Sequence, residues 1–182
     1  MRIVNSKNDE DKLMDGLINA LRRIEIDSNY SARRHFNAGA FFRILHYVTG
    51  IGAAFLGAIA AYSIYFGEYV ALNVGGLTAF ASSILIAVFT VVNPGELASK
   101  HYAAGQDYLS LHNATLFLLD VDVKVSTSKE IDEKVRSLKN TLDKLNSCNG
   151  ILWTPSRAFK KAREDIRKGY TSYDLDDETK LI

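Results

Sequence analysis

A chain of 182 residues with a formal net charge of +1 carries no global bias toward nucleic acid or an acidic partner. Its one cysteine, Cys148, excludes an internal disulfide and a cysteine-cluster zinc site, and it reads as a small buried apolar residue. Two uncharged apolar stretches leave 43 residues before them and 87 after them, too little for a classical catalytic domain.

In chain order, Leu13, Leu17, Leu21 and Ile24 fall at spacings of four, four and three, one face of a helix. Arg22, Arg23, Glu25 and Asp27 lie off that face. Asp27-Ser28-Asn29 predicts a break, and Tyr30 to Arg43 predicts a second segment that leads into the first apolar stretch. Residues 1–43 are thus expected to form a cytosolic N-terminal region with an amphipathic helix.

From Ile44 to Gly67 no Asp, Glu, Lys or Arg occurs for 24 residues, and none occurs from Tyr69 to Gly95 for 27 more. Glu68 alone separates the two stretches. About 20 apolar residues suffice to cross a hydrocarbon core. A lipid-embedded backbone must pair its own amides, so both stretches are expected to be helical spans, about 45–66 and 70–92. The reading is an all-α membrane protein, with a two-helix transmembrane hairpin over 44–95 between cytosolic helices. Residues 1–43 carry eight Lys/Arg, the tip none, and residues 96–182 fourteen. That asymmetry places both termini in the cytoplasm and Glu68 outside. The polar start, MRIVNSKNDEDK, has no signal-peptide pattern, so the first span is expected to direct its own insertion.

Beyond the spans, Asn93, Pro94 and Glu96 suit the cap, first and third positions of a new helix, which is expected to run to about Leu119. Leu97, Ala104, Tyr108, Leu111 and Thr115 stripe it. Asp120 to Thr127 reads as an extended linker. Thr127 with Glu130 forms a capping box. The helix it opens carries Ile131, Val135, Leu138, Leu142 and Leu145 at spacings of four, three, four and three, a two-heptad seam. The seam is expected to pack against helices 96–119 and 155–168. Asn149-Gly150 supplies a stop. Thr154-Pro155 starts a last helix with Ala158, Phe159, Ala162 and Ile166 inward and Lys160, Lys161, Arg163, Arg167 and Lys168 outward, ended by Gly169. The cytosolic region thus spans 96–173, and residues 174–182 read as a disordered acidic tail.

Candidate functional residues are few. Gly75, Ala79, Ser83 and Ala87 recur every four residues on the second span, as do Gly50, Ala54 and Ala58 on the first, beside Ala53, Gly57 and Ala61. Such small-residue rows let helices approach closely in lipid, within the hairpin or between copies of the chain. Thr78 and Ser82 share a face and either bond back to their own helix or line an oligomeric pore. No ionisable residue lies deep in either span, which argues against an ion-coupled transporter. His46 reads as interfacial. His101 and His112, eleven residues apart with Tyr108 between them, are too far apart for one metal and read as packing histidines. No nucleotide-binding, zinc-protease or nucleophile-elbow motif appears, so no enzyme, cofactor or metal is expected.

The segments NPGELASKHYAAGQDYLSLHN (93–113), LWTPSRAFKKAREDI (152–166) and GYTSY (169–173) resemble the SLATT family, the SMODS and SLOG-associating two-transmembrane effector domains. The resemblance covers about residues 10–173 and carries no catalytic residues. It implies a bacterial anti-phage effector of conflict systems that oligomerises and perforates or depolarises the inner membrane. Its trigger would come from a separate nucleotide-signalling or reverse-transcriptase partner. Its partners would otherwise be the lipid bilayer and further copies of the chain, without direct nucleic-acid binding. Two alternatives are a non-conducting anchor or scaffold that docks a cytosolic partner through helix 128–147, and a holin-like lysis protein.

Overall fold

The computed structural model describes residues 3–66 and 69–168. They form five α-helices and one short 3-10 turn, with no strand among them. Helix α1 runs Ile3–Phe66, α2 Tyr69–Val92, α3 Pro94–Asp120, α4 Ser128–Asn149 and α5 Ser156–Arg167. The chain divides into two compact units. One comprises Met1–Asn37 with His101–Ile182, the other Ala38–Lys100.

The second unit begins six residues before the apolar stretch and ends five after it. Two helices here are long and apolar enough to cross a membrane, and only 11% of each apolar window is buried. The core helix of a soluble protein would be mostly buried at such hydropathy. Instead Ile51, Phe55, Ile64, Leu77, Phe80 and Val91 stand exposed. Contacts between α1 and α2 pair Gly50 with Phe89, Gly52 with Leu85, Gly57 with Ser82 and Gly75 with Ser63. As numbers rise on one helix they fall on the other, so the two helices pack antiparallel.

Asn93 separates α2 from α3 in a left-handed conformation, φ 42°. Asparagine tolerates that region because its short amide bonds locally. Its Oδ1 accepts from the Glu96 N–H at 3.4 Å, and its Nδ2 donates to Glu96 Oε2 at 2.7 Å. The expected cap is therefore present.

The first unit has its core where α1, α3 and α4 meet. Leu17, Leu21 and Ile24 of α1, Tyr108, Leu111 and Leu118 of α3, and Ile131, Val135 and Leu142 of α4 form one buried cluster. Leu138 and Leu145 pack at its margin. The seam therefore packs against α3, as expected, and against α1, which was not expected. Helix α5 contributes no member to this cluster. It buries Ala158 and Ala162, the smaller half of its apolar face, and leaves Phe159 36% exposed.

Four local expectations differ from the structure. The break at residues 27–29 is absent. Ser28 is fully buried, and its hydroxyl donates to the Ile24 carbonyl at 2.7 Å, so its polar group is satisfied inside an unbroken helix. The linker 120–127 is not extended but tightens into a 3-10 turn over Asp122–Lys124, with the Val125 and Ser126 amides donating to the Asp122 carbonyl and Lys134 paired to the Asp122 carboxylate. Leu13 is half exposed, beyond the reach of the core. Cys148 is exposed, near the end of α4 and beyond the last residue of the seam.

The Thr127–Glu130 capping box is present with both of its bonds. Gly150 follows α4 at φ −63°, so it is not there for left-handed freedom. A Cβ at this position would stand 2.6 Å from the Asn146 carbonyl oxygen, and that crowding is what calls for glycine. Gly169 and the acidic tail 174–182 lie outside the described residues, as does Glu68.

Candidate functional site

In the unit Ala38–Lys100, the small residues divide by direction. Gly50, Gly57 and Gly75 face the neighbouring helix, where a Cβ would meet Phe89, Ser82 and Ser63 at 3.9, 3.7 and 3.0 Å. Ala53 and Ala60 are buried with them. Ala54, Ala58, Ser83 and Ala87 are exposed, and Ala79 is half-buried. The physical reason is geometric. A strict four-residue spacing turns by about 40° per step on a helix of 3.6 residues per turn. A row that starts at Gly75 in the interface has therefore rotated out of it by Ser83. The packing row follows alternating spacings instead, Gly50, Ala53, Gly57 and Ala60.

Thr78, Ser83 and Thr90 return their hydroxyls to carbonyls of their own helix, at Val74, Ala79 and Ile86. Ser82 does not. It is buried, and its hydroxyl donates across to the Ala53 carbonyl of α1 at 2.9 Å. Ser82 therefore does not bond back to its own helix, and its hydroxyl is used between the two helices. Thr78 is half-buried.

At the other end of the same unit, His46 packs against Phe89 with ring centroids 4.9 Å apart and the planes tilted by 36°. Gly95 admits it, since a Cβ there would lie 2.9 Å from His46 Nδ1. That nitrogen is buried and has no partner among the described residues.

The unit Met1–Asn37 with His101–Ile182 holds the densest polar cluster. His35 of α1 and His101 of α3 are both fully buried, with their Nδ1 atoms 2.9 Å apart. The Arg34 guanidinium lies 3.2 Å from His35 Nε2, and His101 Nε2 lies 3.1 Å from the Trp153 carbonyl oxygen. Tyr108, also fully buried, stacks on His35 with centroids 5.6 Å apart. Its hydroxyl donates to Asn146 Oδ1 of α4 at 2.8 Å. Arg34 lies over the Phe159 ring at 5.0 Å, and Asn37 donates to the Asp165 carboxylate at 3.2 Å. Thus α1, α3, α4 and α5 all meet at this cluster.

The electrostatics follow from burial. Desolvation pushes His35 down to about 4, helped by the neighbouring Arg34 charge and by His101. Burial also lowers His101 and raises Tyr108. His112 sits apart, its Nδ1 3.3 Å from the Glu25 carboxylate of α1. That carboxylate comes from another helix, 87 positions earlier in the chain. Among the described residues no group of three or more His, Cys, Asp or Glu is placed to hold a metal ion.

The sequence reading singled out His101 but not His35. The signal it lacked is tertiary, since the two rings are 66 positions apart. Alongside this cluster, Gly16, Ala20, Arg23, Val135, Lys139 and Leu142 line an open groove between α1 and α4. In comparisons with protein-family models, with characterised proteins and with solved structures, no match to this chain was found.

Proposed function

We propose that the chain is a non-enzymatic effector of a bacterial inner membrane, which oligomerises through its two apolar helices and perforates or depolarises the membrane when activated. The observation that carries this reading is the second, outward set of small residues. Ala54, Ala58, Ser83 and Ala87 stay exposed after α1 and α2 have packed on each other through Gly50, Gly57 and Gly75. Close helix packing in lipid relies on such residues, so a further helix can approach there. The antiparallel helices then form a transmembrane hairpin with both chain ends in the cytoplasm. The base asymmetry between the tip and the flanks supports that orientation. The SLATT-like segments supply the conflict-system role and a separate partner as trigger.

The test is ion flux from vesicles that contain the purified full chain, with and without the Ala58→Leu and Ser83→Leu changes. Dye or ion release that scales with protein and is lost in the variants supports the pore. Stable insertion without flux at any protein density rejects it. That result would favour the anchor reading. One feature of the fold favours an anchor independently, the open α1–α4 groove with its apolar floor and with Arg23 and Lys139 at its rim. Ile131, Val135 and Leu142 of the α4 seam are already buried with residues of α1 and α3.

A further inference from the structure

The connection between α4 and α5 holds two large apolar side chains outward. Ile151 is 87% exposed and Trp153 67% exposed, while Leu152 between them is half-buried. Hydrogen bonds fix this arrangement. The Leu152 amide donates to the Asn149 carbonyl at 3.1 Å, and the Thr154 hydroxyl donates to the Leu152 carbonyl at 3.2 Å. The Trp153 carbonyl oxygen lies 3.1 Å from His101 Nε2 of α3. Pro155 is buried, and its carbonyl accepts from the Ala158 amide, so α5 starts from a fixed point.

Helix α5 adds charge of one sign. Over residues 151–168 six bases stand against two acids. Both acids are engaged: Glu164 pairs with Lys168, and Asp165 accepts from Asn37 of α1. Lys160, Arg163 and Arg167 follow at spacings of three and four, which puts them on one helical face. All three are exposed, and the opposite face carries the buried Ala158 and Ala162.

Tryptophan concentrates at membrane–water interfaces, where its ring sits at the level of the headgroups. Lysine and arginine near an anionic leaflet are drawn to it, and their long stems lie along apolar surface. The stripe of Lys160, Arg163 and Arg167 includes no acid, so it suits a surface of uniform negative charge. The tether to the apolar stretch is short. His101, beside the Trp153 carbonyl, follows Asn93 by eight residues along α3, a rise of about 12 Å.

We propose that the α4–α5 connection docks on the membrane surface, with Ile151 and Trp153 in the interfacial layer and Lys160, Arg163 and Arg167 against anionic phospholipid headgroups. The inference rests on the membrane reading of α1 and α2 and does not require a pore.

Trp153 is the single tryptophan of the sequence, so its fluorescence reads the connection without labelling. The full chain is reconstituted into vesicles of phosphatidylcholine alone or with phosphatidylglycerol, each with and without phosphatidylcholine brominated near the headgroup end of its acyl chains. Bromine quenches tryptophan on contact, and a carbonate wash checks insertion. Quenching should be at least about twofold stronger with phosphatidylglycerol than without it. That gain should vanish in about 0.5 M salt. The triple change Lys160→Gln, Arg163→Gln and Arg167→Gln alters only exposed positions and keeps good helix formers, and it should remove the gain. Ile151→Ser should weaken quenching in both lipid mixtures. An inserted chain with unquenched Trp153 overturns the docking while the membrane reading stands. Equal quenching in both mixtures, unchanged in the triple variant, overturns it as well. Blue-shifted emission without quenching would mean that a second copy of the chain covers the connection, which also overturns it. A chain removed by carbonate overturns the membrane reading, and the docking with it.

Discussion

Ser82 of α2 donates its hydroxyl to the Ala53 carbonyl of α1, 2.9 Å away, in an interface built largely from small and apolar side chains. Gly57 lies beside the bond, and a Cβ there would stand 3.7 Å from the Ser82 hydroxyl, an ordinary contact distance. In lipid an interhelical bond of this kind contributes about 0.6 kcal/mol, at most about 1.7. Ser82→Ala should therefore lower the stability of the helix pair by about 0.5–1 kcal/mol. Ser82→Leu should disrupt it outright, since the site is only 6% exposed. Unfolding by steric trapping in bicelles measures both. A Ser82→Leu variant as stable as wild type would show that α1 and α2 do not pack there.

The two directions of the small-residue rows give a paired prediction. Ser83→Leu alters an exposed position and should leave the α1–α2 pair intact while it removes crosslinked higher-order species. Gly75→Leu should behave differently, because a Cβ at this position already stands 3.0 Å from Ser63 Cβ and 3.4 Å from the Ala60 carbonyl. It should reduce protein levels before any question of assembly arises. Crosslinking in native membranes, normalised to inserted protein, separates the two. Unchanged oligomers in Ser83→Leu would reduce the outward row to lipid-facing surface.

Cys148 provides a topology probe already in place. It is exposed at the end of α4. An impermeant maleimide should label it only after the cells are opened. A cysteine introduced at Glu68, in a Cys148→Ser background, should be labelled from outside intact cells. The opposite pattern would invert the orientation inferred from the base counts of eight, none and fourteen.

Stability should depend on pH through His35. Its affinity for a proton is lowered by burial first, then by Arg34 and His101, from 6.5 to about 4. A histidine depressed in the folded state binds protons less readily there than when unfolded. Its contribution is thus fully present above pH 6.5 and lost as the pH falls from 6.5 toward 4. The loss amounts to about 3 kcal/mol, and His101 shifts in the same direction. Thermal unfolding in detergent at pH 7.5, 5.5 and 4.5 measures it. The drop should lie mostly between the first and last of these. Equal stability at all three would mean that the pair is not desolvated.

The elements of this fold were legible wherever one local rule governs. Charge exclusion marked both apolar helices, and heptad spacing marked Ile131, Val135 and Leu142, all now found in the core. Thr127 with Glu130 fixed the start of α4. What was not legible depends on contacts made at a distance. Ser28 and Asn29 look like a helix break until the rest of α1 and the core hold them in register. One of the two partners of the α4 seam is α1, more than 100 residues earlier in the chain, and nothing in the spacing of α4 names it. His35 shows no local pattern at all, and becomes a candidate only when α3 brings His101 against it.

Coupling between the unit outside the apolar stretches and the two apolar helices is the remaining test, and the structure decides which residue to use. Leu138 lies at the middle of the seam but at the margin of the core, over a shallow groove that also includes Lys134 one turn earlier. Leu138 is only partly buried, so a carboxylate there keeps contact with water and Leu138→Asp should cost about 1–3 kcal/mol. Ile131 is fully buried and has packed neighbours from α1 and α3. Ile131→Ala should cost about 2–5 kcal/mol through the cavity it leaves, and Ile131→Asp should collapse the unit by burying an unpaired charge. If the proposed activation passes through the unit of α3, α4 and α5, membrane permeabilisation in cells should fall in the order wild type, Leu138→Asp, Ile131→Ala, Ile131→Asp, while membrane fractionation finds each variant still inserted. Permeabilisation by Ile131→Asp at the wild-type level, with insertion unchanged, would mean that the apolar helices act without that unit.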